Sequence, residues 1–198
     1  MTNRVDIRIC STARLFLLVL LFLGTVFVSK GTTFARLSIS QMSQAASAIV
    51  RAQCVANTVV VVSGEIWTLT TFDVQETWRG AVPARITVRL LGGTSGNLTS
   101  HVAGIPRFRP SEQVILFLAP TKHFLASTNG GDFSVVSWQQ GTFRIHRDRR
   151  TGEELASQDT GAYFTFDPES RRFLADGAVR MPVALFHAQV ISALEGAH

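Results

Sequence analysis

The chain has 198 residues, of which 46% are hydrophobic and 17% are charged. This composition is too apolar for a disordered protein, and the length is too short for several domains. The two cysteines of the whole chain exclude a disulfide-dense scaffold and a zinc module built from cysteines.

The chain opens with a basic segment, an apolar run and a small-residue exit. Three arginines precede residue 15, residues 15–28 read LFLLVLLFLGTVFV, and Ala35 ends the segment SKGTTFA. This order is typical of a secretory signal peptide. The alternatives are an uncleaved membrane anchor and a buried helix. The anchor is disfavoured because the run is shorter than the 18–20 or so apolar residues that span a membrane. We predict a signal peptide over residues 1–35, cleaved between Ala35 and Arg36, and a secreted or periplasmic protein.

Much of the net charge of +5 comes from this leader. Four basic residues and one acidic residue lie in residues 1–35, which leaves a net charge of +2 for residues 36–198. The remaining chain has one basic cluster, which consists of Arg144, Arg147, Arg149 and Arg150 with Asp148, Glu153 and Glu154 beside it. A nucleic-acid-binding surface concentrates basic charge on one face, whereas this cluster is typical of a solvated hairpin turn. We predict no nucleic-acid partner, and membrane contact only through an uncleaved leader.

The first part of the exported chain predicts one short helix followed by strands. Ser40 is suited to cap a helix over Gln41–Ser47, because its hydroxyl could accept a bond from a free backbone N–H. Runs rich in β-branched and aromatic residues predict strands over 48–55, 58–62 and 66–78. Residues 84–91 alternate between apolar and polar residues, which is typical of a strand with one buried face.

The middle of the chain predicts a loop and a central strand. Glycines in residues 92–97 favour a loop. Residues 113–119, QVILFLA, are apolar at nearly every position, so both faces of the predicted strand are apolar. This is typical of a strand that is covered on both sides. A turn and two strands are predicted at Asn129–Asp132, 133–138 and 141–146. The link Gln139-Gln140 makes these two strands possible hairpin partners, although it lacks the usual glycine.

The C-terminal segment predicts an amphipathic helix over residues 182–194. Its apolar residues recur at steps of three and four, and they are Val183, Phe186, Val190 and Leu194. Pro182 suits the first helical turn, and Gly196 follows the last one. The polar face lacks the lysines and arginines that favour a membrane surface, so we expect the helix to dock on the sheet.

Together these elements predict a mainly β fold. We expect residues 36–198 to form a single β-rich domain, either a small partly open, OB-like barrel or a sandwich. The helix 182–194 packs on it and covers apolar surface that would otherwise face water.

Motifs that carry chemistry are few. No two of the five histidines have the spacing of a helical zinc motif, and the chain contains no Gly-x-Ser-x-Gly nucleophile elbow. Ser95, His101 and Asp132 could be nominated for hydrolysis, but nothing in the sequence fixes their geometry. The apolar neighbours of Cys54 favour an inert buried thiol. We predict no catalytic residue, no metal and no cofactor, with a cryptic hydrolase as an alternative.

Several segments resemble a family of uncharacterised bacterial secreted proteins. The segments are TTFDVQETWRG, RITVRLLGG, GIPRFRPSEQVILFLAP and WQQGTFRI. The positions that match the family's pattern are Trp78-Arg79-Gly80, Gly92-Gly93, Pro106, Phe108, Glu112, Leu116-Phe117-Leu118 and Gln140-Gly141. Ser111 stands where a glycine is usual. The resemblance covers roughly Leu37 to Ile145 and the terminal helix.

This resemblance implies an OB-like domain that is distantly similar to tissue inhibitors of metalloproteinases, in proteins often encoded near secreted metalloproteases. Those inhibitors bind the protease zinc through the amine and carbonyl of an N-terminal cysteine. Here the predicted mature N-terminus is Arg36 and Cys54 is internal, so no inhibitor residue is carried over.

The sequence therefore predicts an exported, non-enzymatic binding or envelope-associated module. Its partner would be a protein or a glycan outside the cytoplasm. An inhibitor or accessory factor of a secreted metalloprotease is the alternative. Arg107, Phe108 and Arg109 are the candidate partner contacts, because they combine two cations with an aromatic ring on a loop. Phe108 could instead plug the mouth of the barrel.

Overall fold

The computed structural model describes residues 34–121, 132–158, 165–167, 171–174 and 179–196. They belong to one compact unit, Thr33–His198. Residues 1–33 of the predicted signal peptide and residues 129–131 of the predicted turn lie outside the described residues.

The described residues form thirteen strands, two α-helices and one 3-10 helix. The strands are β1 Phe34–Ala35, β2 Ala48–Val62, β3 Glu65–Arg79, β4 Arg85–Leu91, β5 Gly93–Ser95, β6 Leu98–Ser100, β7 Gln113–Pro120, β8 Asp132–Val135, β9 Thr142–Arg147, β10 Glu154–Gln158, β11 Thr165–Asp167, β12 Arg172–Leu174 and β13 Arg180–Pro182. The helices are α1 Ile39–Ala45, the 3-10 helix Trp138–Gly141 and α2 Val183–Glu195.

One mixed sheet of eight strands dominates the fold. Its order is β13-β10-β9-β7-β2-β3-β4-β8, and β8 also pairs with β7. The pairing of β8 is short, with two residue pairs to β4 in parallel and three to β7 in antiparallel orientation. These two pairings connect β7, β2, β3, β4 and β8 in a ring, but the links through β8 are so short that the barrel is not closed. The prediction of a mainly β fold with a C-terminal helix packed on it is confirmed.

The strand β7 separates two hydrophobic clusters. All side chains from Val114 to Leu118 are fully buried, and alternate ones enter opposite clusters. The sheet cluster contains Ala48, Val50, Ala52, Cys54, Phe72, Ile86, Val88, Leu90, Phe108, Val114, Leu116, Leu118, Phe133 and Val135. The helix cluster contains Met42, Ala46, Ile49, Ile115, Phe117, Phe143, Ala156, Val183, Phe186 and Val190. The two-sided apolar pattern of QVILFLA thus predicted the strand's position correctly.

Helix α2 agrees with its sequence prediction to within one residue. Its buried residues are Val183, Phe186 and Val190, all from the predicted stripe. Pro182 lies just before the first turn and Gly196 just after the last one. No helix among the described residues is both long enough and apolar enough to cross a membrane.

Three predicted boundaries near the N-terminal half are wrong. Helix α1 begins two residues earlier than predicted, because Ser38, and not Ser40, forms a capping box with Gln41. The two strands expected over 48–55 and 58–62 are the single strand β2. Its pairing with β3 shifts register at several points up to Ala56 without ending the strand. The predicted loop 92–97 is the start of a hairpin, in which β5 pairs with β6.

The strands around Gln139-Gln140 are not hairpin partners. Strands β8 and β9 each pair with β7 and not with each other. The two glutamines lie in the 3-10 helix and are buried. The side chain of Gln140 accepts a bond from the backbone N–H of Leu37 and donates to the carbonyl of Ala35, both at 2.9 Å. The amide therefore links the N-terminal segment to the sheet, which explains why a polar residue is buried here.

Candidate binding site

Two neighbouring cavities lie beside the segment Ile105–Pro106. They have volumes of about 260 Å³ and about 220 Å³, and both are lined by Leu90, Leu91, Ile105 and Pro106. We call the pair the Ile105–Pro106 site. The first cavity is bordered by β2 and by the Gly92-Gly93 corner, and the second by β8 and the 3-10 helix.

A glycine corner shapes the first cavity. The hydroxyl of Thr68 donates to the carbonyl of Gly92 at 2.7 Å, which draws the chain after β4 close to β3. Gly93 has a φ of +148°, and a Cβ there would lie 2.7 Å from the Thr68 Oγ1 atom. A side chain at residue 93 would therefore be strained and would collide with the wall of the cavity.

Phe108 fixes the loop that carries the predicted contacts. It is only 6% exposed and packs edge-to-face on Phe72, with ring centroids 5.0 Å apart. The guanidinium of Arg144 lies 5.8 Å from the Phe108 ring centroid, pairs with the Glu112 carboxylate and donates to the Arg107 carbonyl at 2.8 Å. Phe108 thus packs in the sheet cluster and offers little aromatic surface to a partner. This agrees with the alternative prediction that Phe108 plugs the barrel.

The two predicted arginines have different surroundings. Arg107 is exposed and lines the first cavity, where its Nη2 donates to the Ser100 carbonyl at 3.3 Å. Within the described part of the chain, Arg107 forms no ion pair. Arg109 is also exposed but lines neither cavity, and its backbone N–H donates to Glu112 at 2.9 Å. The structure therefore brings Arg107, and not Arg109, to the site.

Three further lining residues were not predicted. Arg89 lies over the ring of Trp67, with its Cζ atom 6.0 Å from the ring centroid, and both line the second cavity. Trp138 lines the same cavity and is 39% exposed. The alternation of β4 did place Arg89 on the polar face. Its meeting with Trp67 depends on the β3–β4 register, which pairs Trp67 with Leu91 and Leu69 with Arg89.

The residues nominated for hydrolysis lie in different elements. Ser95 ends β5 in the two-stranded sheet, whereas Asp132 begins β8 in the eight-stranded sheet. His101 follows β6 and is exposed. Among the described residues, no three histidine, cysteine or acidic side chains are grouped so as to hold a metal ion. The sequence-based predictions for catalysis and metal binding stay predictions.

The predicted cleavage site lies at the start of the described chain. Ala35 belongs to β1, which pairs in parallel with β11. The N–H of Arg36 continues this pairing by donating to the Phe166 carbonyl at 2.9 Å. Cleavage after Ala35 stays a prediction.

The basic cluster lies at a hairpin turn, as predicted. Strands β9 and β10 pair with Arg147 opposite Glu154. The carboxylate of Asp148 accepts hydrogen bonds from the backbone N–H groups of Thr151 and Arg150, and these bonds hold its pKa below the ordinary value. Arg144 points elsewhere, to Glu112. The cations of this segment are thus divided between the turn and the loop of Phe108.

Cys54 is a buried thiol with a raised pKa. Its side chain is 1% exposed, and burial, followed by the negative charge of Glu112, raises its pKa. Because the thiolate is the reactive form, we expect Cys54 in the folded protein to resist a thiol reagent at pH 8. Unfolded protein should react completely on the same timescale. The variant Cys54→Ser should lack the slowly reacting thiol, which would identify Cys54 as its source.

The raised pKa also predicts the pH dependence of stability. The folded state keeps the Cys54 proton at pH values where the unfolded chain loses it. The stabilisation is therefore complete below the unfolded pKa of about 8.5 and decreases as the pH rises through the folded pKa. Between about pH 7.5 and 9.5, a range that brackets the ordinary cysteine pKa, the urea midpoint should fall more in the wild type than in Cys54→Ser. Equal falls in both proteins would contradict this expectation.

Comparison of the chain with models of protein families, with curated proteins and with solved structures finds no match. The family resemblance based on sequence motifs therefore stays a prediction.

Proposed function

We propose that the protein is an exported, non-enzymatic binding module whose Ile105–Pro106 site takes an extended segment of a partner protein outside the cytoplasm. The segment would insert apolar side chains into the two cavities and place an acidic side chain beside Arg107. The observation that carries the proposal is the pair of adjacent, mainly apolar cavities with an exposed arginine at the rim.

The size of the cavities supports a peptide. Each cavity, at about 260 and about 220 Å³, is smaller than the roughly 300–1,000 Å³ of a typical small-molecule pocket. Each therefore suits one side chain. Their shared wall, Ile105–Pro106, places them next to each other, as two side chains on the same face of an extended segment, at positions i and i+2, require.

The charge at the site supports an acidic partner. The charged side chains that line the cavities are Arg107 in the first and Arg89 in the second, and no described lining residue is a carboxylate. An arginine has five N–H donors and no acceptor, so it suits the oxygens of a carboxylate. A glycan, with its many hydroxyl donors, would find no carboxylate to accept them.

Peptide binding tests the proposal. Fluorescein-labelled six-residue peptides carry Leu, Val or Phe at positions 1 and 3, Asp or Glu at position 5, and Ser between them, so that all three side chains lie on one face. They should raise fluorescence polarisation on binding. Their Asn and Gln counterparts should bind at least about tenfold more weakly, since a charge-assisted hydrogen bond contributes about 1.5–3 kcal/mol. The peptides should be recovered intact, because no hydrolysis is expected. Cleaved peptides, or binding of glycans in place of peptides, would contradict the proposal.

A pair of arginine variants provides the matched control. Arg107→Ala should weaken binding of the acidic peptides about tenfold or more. Arg109→Ala removes a cation two residues away that lines neither cavity, and should change affinity less than about twofold. An equal loss in both variants would indicate nonspecific attraction by the basic loop and would overturn the assignment of Arg107.

A further inference from the structure

The second half of β2 has an open backbone edge within the described residues. Strand β2 pairs with β3 as far as Val62, but with β7 only over Ala48–Gln53. The loop before β7 extends this second pairing by one residue, because Cys54 donates to the Glu112 carbonyl and accepts from Ser111. Among the described backbone hydrogen bonds, none reaches the outer edge of Ala56–Val62.

This edge lacks the usual protection of exposed strands. Natural edges carry charged residues, prolines or bulges that discourage pairing. The sequence of residues 55–63 is VANTVVVVS, with no charge and no proline. The irregularities of β2 end at Ala56. Val59 and Val61 are 38% and 55% exposed, so β-branched side chains with high strand propensity border the edge.

The hairpin turn keeps this edge extended. Ser63 and Gly64 connect β2 to β3 and have φ values of 52° and 84°. Two central residues with positive φ form the type I′ turn, whose twist matches that of the paired strands. Val62 and Glu65 flank the turn as the last residue pair of the ladder. The open edge is therefore held as a regular strand, ready to accept another one.

We infer that the edge Ala56–Val62 pairs with the same edge of a second copy of this chain, and that the two strands join the sheets across a two-fold axis. A two-fold axis presents the same strand in antiparallel orientation, the arrangement in which ladder bonds run straight across. Because the edge has no charged residue, its pairing with a second copy brings no like charges together. It also places valines opposite β-branched residues, which form favourable cross-strand pairs. A charged partner strand would find no counter-charge on this edge.

Sedimentation equilibrium of the purified protein tests the inference. The wild type should reach twice the mass of one chain as concentration rises. Val61→Lys places two cations near the axis and should lower the association constant at least about tenfold. Val61→Thr keeps the β-branched shape without charge and should still dimerise. Val61 lines neither cavity, whereas Asn57 and Val59 of the same edge line the first one. Peptide binding should therefore be the same in all three proteins at concentrations where each is a monomer. A monomer at every concentration, or a dimer unaffected by Val61→Lys, would overturn the inference.

Disulfide trapping locates the interface independently. In a Cys54→Ser background, cysteine is placed singly at Val59, Val60 or Val61. In a symmetric antiparallel pair the residue on the axis faces its own copy, so one of the three variants should form a covalent dimer under mild oxidation. Thr99→Cys, on exposed strand β6, is the control and should stay a monomer on a non-reducing gel. Equal trapping at residue 99, or none at residues 59–61, would contradict the pairing.

Discussion

Phe186→Ala is expected to destabilise the protein by about 3–5 kcal/mol, because it removes the ring that joins helix α2 to the sheet. Phe186 is fully buried. Its centroid lies 4.4 Å from that of Phe143 and 6.2 Å from those of Phe117 and Trp78. Those neighbours come from three strands of the sheet, so they cannot all move inward to fill the space, and a cavity remains.

The measurement is urea unfolding followed by far-ultraviolet circular dichroism. Leu185→Ala is the matched control, since Leu185 is the preceding residue of the same helix and is 59% exposed. It should change the unfolding free energy by less than about 0.5 kcal/mol. Phe186→Leu should fall between the two variants and keep the protein folded if the alanine variant is too unstable to measure. Similar losses at residues 185 and 186 would contradict the packing of α2.

The sequence predicted those elements whose side-chain period matches their burial. The alternation of Ile86, Val88 and Leu90 reproduces the buried face of β4, and the steps of three and four reproduce the buried face of α2. In both cases one element faces one core, so a local pattern contains the needed information. The same logic extends to β7, whose two apolar faces meet two clusters.

Elements whose conformation depends on residues distant in the chain could not be predicted from a local side-chain pattern. The bond from Gln140 to Ala35 joins residues 105 positions apart, and no local pattern announces it. The 3-10 helix follows Ser137 and begins at Trp138, both with positive φ although neither is glycine. A backbone of this kind is held by its surroundings, so sequence propensity predicts a plain link instead.

Only part of the candidate site could be predicted from the sequence, because its other members are brought together by residues distant in the chain. Arg107 and Phe108 are neighbours in sequence, and a cation next to an aromatic residue on a loop was visible there. The position of Phe108 inside the sheet cluster depends on Phe72 from another strand. Likewise, Arg89 meets Trp67 through strand register. A binding surface assembled from several strands therefore needs the pairing pattern before its members can be named.

Gly141→Ala is the second substitution with a large expected effect, about 2–3 kcal/mol of lost stability. Gly141 is buried at the end of the 3-10 helix. A Cβ at this position would lie 2.3 Å from the Val136 carbonyl oxygen and 3.0 Å from the Val135 side chain. The first contact is with backbone, which cannot rotate away. Val136 is itself held, because its N–H donates to the Phe117 carbonyl at 2.8 Å.

The displaced backbone should also disturb the neighbouring Gln140 amide and its bond from the Leu37 N–H. Urea unfolding gives the loss of stability, and hydrogen exchange should show faster exchange of the Leu37 amide. Gly196→Ala is the control, since its Cβ would lie 3.4 Å from the Ser192 carbonyl oxygen and its φ of −75° suits any residue. It should alter stability by less than about 0.5 kcal/mol. If the two variants were equally stable, the close approach at Gly141 would not be a constraint on the fold, and the link between the 3-10 helix and the N-terminal segment would need another origin.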